Sequence, residues 1–151
     1  MNTIKRMLEH CVWANERMYG QMKNTSVDKE VVELFYHIVA AEEVWLCRIN
    51  NQESSHISLW GSAALEDCER ILKGNILKLE GLLHRLMEKD MPSVISYTNS
   101  KGKEYQSTLE EILTHIALHG QYHRGQINKK LRESGNEPVN VDFISYIRNE
   151  F

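Results

Sequence analysis

The sequence is poor in proline and glycine, with two prolines and eight glycines among 151 residues. Both residues mark turns and interrupt regular elements, so their scarcity argues against a loop-rich or all-β chain. There is also no apolar run long enough to span a bilayer. The N-terminal stretch mixes charges with its apolar residues, unlike a secretory signal peptide. We therefore expect a cytoplasmic protein with no membrane partner.

Cysteines are few as well, and there is no excess of basic charge. Cys11, Cys47 and Cys68 are far apart and odd in number, which argues against a disulfide framework or a cysteine zinc site and predicts buried, reduced thiols. The formal net charge of −3 offers no basic surface, so we expect no nucleic-acid partner. The length suits a single domain, residues 1–151, with a substantial core.

What the sequence does contain is four segments with apolar residues at helical spacing, i, i+3 and i+4. They run from Asn2 to Lys23, from near Asp28 to about Asn50, from about Ala63 to Lys89, and from Ser107 or Thr108 to Ser134-Gly135. Four amphipathic helices of this length are the parts of a four-helix bundle. Asn15 interrupts the apolar stripe of the first helix and is predicted to face inward.

Helix starts and connections follow from shorter signals. Ser62, four residues before Glu66, resembles the start of the third helix, and Thr108 with Glu111 forms a capping box for the fourth. The intervening SVISYTNSKGKEYQS alternates weakly and turns at Lys101-Gly102, which predicts a short β-hairpin or an ordered loop. VDFISYIRNEF, after Pro138, predicts a short final helix. The predicted fold is all-α, a four-helix bundle with one long crossover connection that carries the hairpin.

The segment THIALHGQYHRGQI carries three histidines, each four residues after the last. On a helical wheel His123 lies within the inward stripe, His119 lies near its edge, and His115 points about 100° away, toward the flank. His119 and His123, one turn apart, have the spacing that lets two imidazoles meet at one metal ion. The residues between them include no Glu, so the mechanism of H-E-x-x-H zinc enzymes does not transfer.

An inward imidazole needs either a hydrogen bond inside the core or coordination to a metal, and the pair alone favours neither. Coordination requires a third ligand, and His37, on or beside the inner stripe of the second helix, is the best candidate. Three imidazoles with an open position form a common catalytic type of zinc site, and imidazole also suits nickel, iron and copper. His10, His56 and His84 lie in polar or mixed surroundings and are assigned to the surface.

Several of these stretches together resemble the DinB/YfiT-like family of metal-binding four-helix bundles. They are LFYHIVAAEEVWL, then HGQYHRGQI about 80 residues later, the WAN-x-R element Trp13-Ala14-Asn15 with Arg17, NSKGKEYQSTLEEIL, and the ending GNEPVNVDFISYI. The resemblance implies a divalent metal bound by His37, His119 and His123, and a homodimer. Zinc or nickel would come first as the metal, with iron or manganese as alternatives. Related members use low-molecular-weight thiols, such as bacillithiol or mycothiol S-transferases and a thiol-dependent maleylpyruvate isomerase.

The leading hypothesis is therefore a metal-dependent thiol S-transferase or hydrolase that acts on a small-molecule substrate. The sequence does not choose between thiol and water as the activated group. The alternative is a non-catalytic protein whose metal is structural or regulatory, or which sequesters a small ligand.

Further residues are candidates for the surroundings of the metal or for a substrate pocket. Asn15 would hydrogen-bond a metal-bound group or satisfy a core contact, and His115 would lie outside the ligand set. Arg124 would hold an acidic substrate group, although its flank position favours solvent or a salt bridge. Glu42 and Glu43 would orient a ligand imidazole, although a solvated helix face accounts for at least one of them.

Overall fold

The computed structural model describes residues 2–88 and 91–149. Its elements are α1 (Asn2–Asn24), α2 (Lys29–Ile49), α3 (Leu65–Met87), β1 (Val94–Thr98), β2 (Glu104–Thr108), α4 (Leu109–Glu133) and α5 (Phe143–Arg148). The predicted helical bundle with a hairpin between the third and fourth helices is confirmed. Among the described residues, none of the helices has both the length and the apolar character needed to cross a membrane.

Two apolar clusters form the core, one toward each end of the bundle. One is centred on Met18, Phe35 and Ile127, and the other on Leu8, Leu46 and Leu113. Helices α1 and α2 each pack against both α3 and α4, which places α1 and α2 at opposite corners. Between the two clusters every long helix contributes a buried polar side chain: Asn15 from α1, Glu42 from α2, Asn75 from α3 and Arg124 from α4.

The hairpin leads directly into α4 and fixes where that helix begins. Strands β1 and β2 pair antiparallel from Val94 opposite Thr108 to Thr98 opposite Glu104, and the turn between them includes Gly102 at φ 76°. The Thr108 hydroxyl accepts from the Glu111 backbone N–H at 3.2 Å, and the Thr108 N–H donates to the Glu111 carboxylate at 2.8 Å. The predicted capping box is therefore present, and the segment is a hairpin rather than an ordered loop.

The start of α3 differs from the prediction. Ala64, not Ser62 or Ala63, is the N-cap, and its N–H donates to the Asp67 carboxylate at 3.3 Å. Asp67 is three residues after the cap, where a carboxylate reaches back to the backbone, whereas Glu66 is one residue too early. Lys89, the predicted end of α3, lies outside the described residues, and so do residues 150 and 151 of the predicted final helix.

His10 is buried, so its assignment to the surface was wrong. The segment after Pro138 folds back over α1, and His10 Nε2 lies 2.8 Å from the carbonyl oxygen of Val141. The ring of His10 also packs against Trp13, Phe143 and Tyr146. Burial lowers the pKa of His10, so its neutral form prevails near pH 7. The local sequence did not reveal this burial because the residues that cover His10 lie about 130 positions later in the chain.

Replacing Thr108 by alanine tests the contribution of the capping box. Thr108→Ala removes the acceptor for the Glu111 N–H, and we expect the free energy of unfolding to fall by about 1 kcal/mol. Thr114→Ala is the matched control, because the Thr114 hydroxyl bonds only the Glu110 carbonyl one turn earlier, within the helix. Urea denaturation should show a loss for Thr108→Ala alone, and equal effects of the two changes would contradict the assignment.

Candidate metal centre

His37, His119 and His123 converge on one point beside the polar middle of the bundle. Each offers a ring nitrogen, and these three atoms lie within 4.8 Å of one another. The Nε2 atoms of His37 and His119 are 3.1 Å apart. Three nitrogens bound tetrahedrally to zinc would lie about 3.3 Å from each other, given bonds of about 2.0–2.1 Å. The cluster therefore has nearly the dimensions that a small divalent cation requires.

Hydrogen bonds set the tautomer of two of the three imidazoles. Nδ1 of His37 lies 2.8 Å from the carbonyl oxygen of Leu59, and Nδ1 of His123 lies 2.6 Å from Oε1 of Gln126. Because both oxygens accept, each Nδ1 carries the proton and each Nε2 keeps its lone pair for a metal. The Gln126 amide is oriented by its own donation to the Tyr122 hydroxyl at 3.4 Å.

The contacts of His119 do not set its tautomer in this way. Its Nε2 lies 3.1 Å from Nε2 of His37, a distance that suits either a hydrogen bond between the rings or two ligands of one metal ion. Metal coordination by His119 Nε2 requires the proton of the ring to be on Nδ1. His119 is in this respect unlike His37 and His123.

Burial and mutual repulsion favour the neutral forms of His37 and His119. Burial lowers the pKa of His37, and burial together with the neighbouring His123, His37 and His115 lowers the pKa of His119 to about 4. Neutral imidazole is the form that binds metal. These two rings therefore do not have to lose a proton near pH 7 before they coordinate a cation.

The connection between α2 and α3 covers one side of the centre. Trp60 stacks face to face on the His37 ring, with centroids 3.6 Å apart and planes 9° from parallel, and its side chain is still 56% exposed. The neighbouring Leu59 supplies the carbonyl that holds His37. Sequence reasoning treated this stretch only as a loop and missed both contributions. It also assigned no role to Gln126, although three residues after His123 is one helical turn.

Arg124 is completely buried, so the expectation that it faces solvent or a salt bridge on the flank was wrong. Nη1 of Arg124 donates to Oδ1 of Asn15 at 2.7 Å, and Nη2 donates to Oε1 of Gln121 at 3.3 Å. A Cβ on Gly120 would lie 2.8 Å from Nη1, so the glycine makes room for the guanidinium. Asn15 faces inward as predicted, and the contact it makes is with Arg124.

Glu42 and Glu43 have different surroundings. Glu42 is buried and accepts from the Asn75 amide at 2.9 Å, whereas the half-exposed Glu43 pairs with Lys78 at 3.1 Å. Burial raises the pKa of Glu42 to about 7, although Asn75 and the nearby Arg124 act in the other direction. At least one of the two was expected to face solvent, and Glu43 is the one that does so in part. Asn75, which binds Glu42 from α3, was missed because nothing in its local sequence marks it.

His115 lies outside the cluster, on an exposed part of α4. Its ring contacts Trp45 at a centroid distance of 5.3 Å and His119 at 5.5 Å. His56 and His84 are exposed, as predicted. On the other side of Trp60 an open groove of about 610 Å³ runs between α2 and α4, and its lining includes Leu34, Gln126 and Lys129. A small molecule in this groove would lie beside the centre.

The donor set fits a divalent metal ion. Three imidazoles from two helices suit zinc, nickel and iron, and an open groove lies next to the cluster, beyond Trp60. The fold and the site thus define a class: helical bundles in which one histidine of the second helix and two of the fourth form a possible metal-binding cluster.

Comparison with known sequences identifies the family. The sequence pattern of the DinB family matches residues 1–150, and the chain belongs to that family. It is similar to the protein named Protein DinB from Bacillus subtilis (strain 168), with 22% identity over 94% of this chain and 92% of that protein. The resemblance drawn from the WAN-x-R element and the histidine motif is confirmed.

The raised pKa of Glu42 predicts how stability changes with pH. In the folded protein the carboxyl holds its proton up to about pH 7, whereas in the unfolded chain it loses the proton near its ordinary value of 4.5. The native state thus binds more protons across this range, and its stability falls as pH rises. We expect ionisation of Glu42 to lower the free energy of unfolding by about 2 to 3 kcal/mol between about pH 5 and about pH 8.

Glu42→Gln should abolish this contribution because the glutamine keeps an acceptor for Asn75 and does not ionise. Chemical denaturation of the metal-free proteins should show the free energy of unfolding of Glu42→Gln rising relative to that of the wild type as pH rises. The free energy of unfolding of Glu43→Gln should depend on pH as that of the wild type does. A constant difference between Glu42→Gln and wild type at all pH values would contradict the assignment.

Proposed function

We propose that this protein binds one divalent metal ion through the Nε2 atoms of His37, His119 and His123. The observation that carries the proposal is the convergence of these three imidazoles, two of which are held in the tautomer that leaves a lone pair on Nε2. Core histidines that only satisfy hydrogen bonds have no need to gather three ring nitrogens in this way. Zinc or nickel is the preferred occupant, and iron or manganese is the alternative.

We further propose that the centre is catalytic and acts on a thiol or on a hydrolysable small molecule. When bound, the metal would supply Lewis acidity that lowers the pKa of a thiol or of water. The support is the small number of protein ligands, because a structural site normally has four, and the open groove beyond Trp60 has room for a small molecule near the cluster. The thiol comes from the family resemblance.

The chain's own residues suit the handling of a small polar substrate. The groove has an apolar part at Leu34 and Trp60, and a charged part where Lys29 pairs with Glu33 and Lys130 with Glu30. Such a surface would orient a molecule with an apolar body and a charged end. Trp60 would shield one face of His37 from water. The small-molecule partner, the homodimer, the cytoplasmic location and the single domain stay predictions.

Metal content tests the first part of the proposal. The purified wild type, loaded with zinc and dialysed, should hold about one ion per chain by elemental analysis. His37→Ala, His119→Ala and His123→Ala should each weaken zinc binding by more than about 100-fold, beyond the effect of losing a surrounding hydrogen bond. His56→Ala and His84→Ala, which change exposed histidines, are the controls. A wild type without stoichiometric metal, or triad variants that retain it, would contradict the proposal.

Turnover tests the second part. Zinc- or nickel-loaded protein should accelerate the consumption of a low-molecular-weight thiol by an electrophile, or the hydrolysis of an ester or amide, and His119→Ala should abolish the acceleration. Chelation should remove the activity and metal addition should restore it. If a broad panel of thiols, electrophiles and hydrolase substrates shows no metal-dependent turnover, the non-catalytic alternative is the better description.

A further inference from the structure

A small cavity adjoins His119 in the middle of the bundle. It has a volume of about 10 Å³ and is lined by three polar side chains, those of His119, Glu42 and Arg124, together with Ile38, Trp45, Ile116 and Gly120. This space holds about one water molecule. Purely apolar cavities stay dry, whereas a water that finds about three hydrogen-bonding partners is a regular part of a protein interior. The lining of this cavity meets that requirement.

The polar side chains around the cavity have hydrogen-bonding capacity left over. Within residues 2–88 and 91–149, Nε of Arg124 is buried and has no partner. Oε2 of Glu42 accepts from Asn75, which leaves Oε1 available, and the hydrogen bond of His119 uses Nε2, which leaves Nδ1. One water can accept from Arg124, donate to Glu42 and bond Nδ1 of His119. It would satisfy groups whose burial without partners is costly.

His119 is also the ligand whose tautomer still has to be set. Nδ1 of His37 donates to Leu59 and Nδ1 of His123 donates to Gln126, and both are thereby ready to bind metal through Nε2. For His119 to do the same, the proton of its ring must be on Nδ1. An acceptor near Nδ1 would stabilise that form. Above about pH 7, where Glu42 is ionised, its carboxylate is the strongest acceptor that the cavity offers.

We infer that a buried water links Nδ1 of His119 to the carboxylate of Glu42 and the guanidinium of Arg124. Glu42 is then a positioning residue, which acts on the metal centre through His119 and selects the tautomer that coordinates. This inference rests on the proposed metal function. It assigns to the polar layer a role in metal affinity besides its role in packing.

The test compares Glu42→Gln with Glu43→Gln, the neighbouring change on the same helix. Glu43 binds Lys78 and does not line the cavity, so its replacement removes the same charge without touching the bridge. Zinc affinity is measured by competition with a chromophoric chelator at about pH 8, where the Glu42 carboxyl is ionised. We expect Glu42→Gln to bind zinc about tenfold or more weakly, and Glu43→Gln to stay within about twofold of wild type.

Long-range ¹H–¹⁵N spectra of the histidine rings provide a second measurement that does not depend on activity. In the zinc-bound wild type, His119 should carry its proton on Nδ1. In the metal-free protein the Nδ1 resonance of His119 should move on Glu42→Gln and stay in place on Glu43→Gln. A purely structural role for Glu42 would not move this resonance selectively. General loss of folding would instead appear in the denaturation curves, where Glu42→Gln is expected to be the more stable protein above about pH 7.

The outcomes separate this inference from the proposed function. If the wild type binds zinc and Glu42→Gln binds it equally well, the inference is wrong and the metal site stands. If the wild type binds no zinc, the proposed function is wrong. The ring spectra of the metal-free protein then test by themselves whether a water links His119 to Glu42. An unchanged His119 Nδ1 resonance in Glu42→Gln would overturn the inference whatever the zinc result.

Discussion

The buried guanidinium of Arg124 is the constraint on which the middle of this bundle depends. A permanent charge removed from water must be hydrogen-bonded, because its desolvation otherwise costs several kcal/mol. Asn15 from α1 and Gln121 from the preceding turn of α4 accept from it, and Gly120 leaves the space that it occupies. The apolar core is consequently divided into two clusters with a polar layer between them.

This layer also positions the histidines. Arg124 follows His123 directly, and its contact with Asn15 fixes the rotation of α4 relative to α1. With α4 held in that rotation, His119 and His123 face His37 on α2. The WAN-x-R element contributes at two places: Asn15 binds the guanidinium, while the Arg17 side chain donates to the Asn140 carbonyl and thereby holds the C-terminal segment against α1. One short motif thus connects the core, the histidine cluster and the C-terminal segment.

The histidine cluster is held by hydrogen bonds and lies near an open groove. Helices α2 and α4 supply the imidazoles, and backbone and amide oxygens fix two of their tautomers. The connection before α3 supplies Trp60, whose exposed indole separates the cluster from the groove. Ligands held by hydrogen bonds next to an open groove are what the proposed metal function requires.

The helices, the hairpin, the capping box at Thr108 and the pairing of His119 with His123 were predictable from the sequence, because each depends on residue spacing within a short stretch. His37 was added from its place on the inner stripe of α2 and from the family resemblance, and it lies with the other two in the structure. Burial of His10 and Arg124, the start of α3 at Leu65, and the contacts of Leu59, Trp60 and Asn75 were not. The helical wheel places Arg124 on a flank, and only the packing of α1 against α4 turns that flank into an interior. The sequence by itself determined which side chains each helix presents. The tertiary structure decided what each of them meets, because contacts between different elements, 22 positions apart for His37 with Leu59 and 131 for His10 with Val141, leave no periodic signal in the chain.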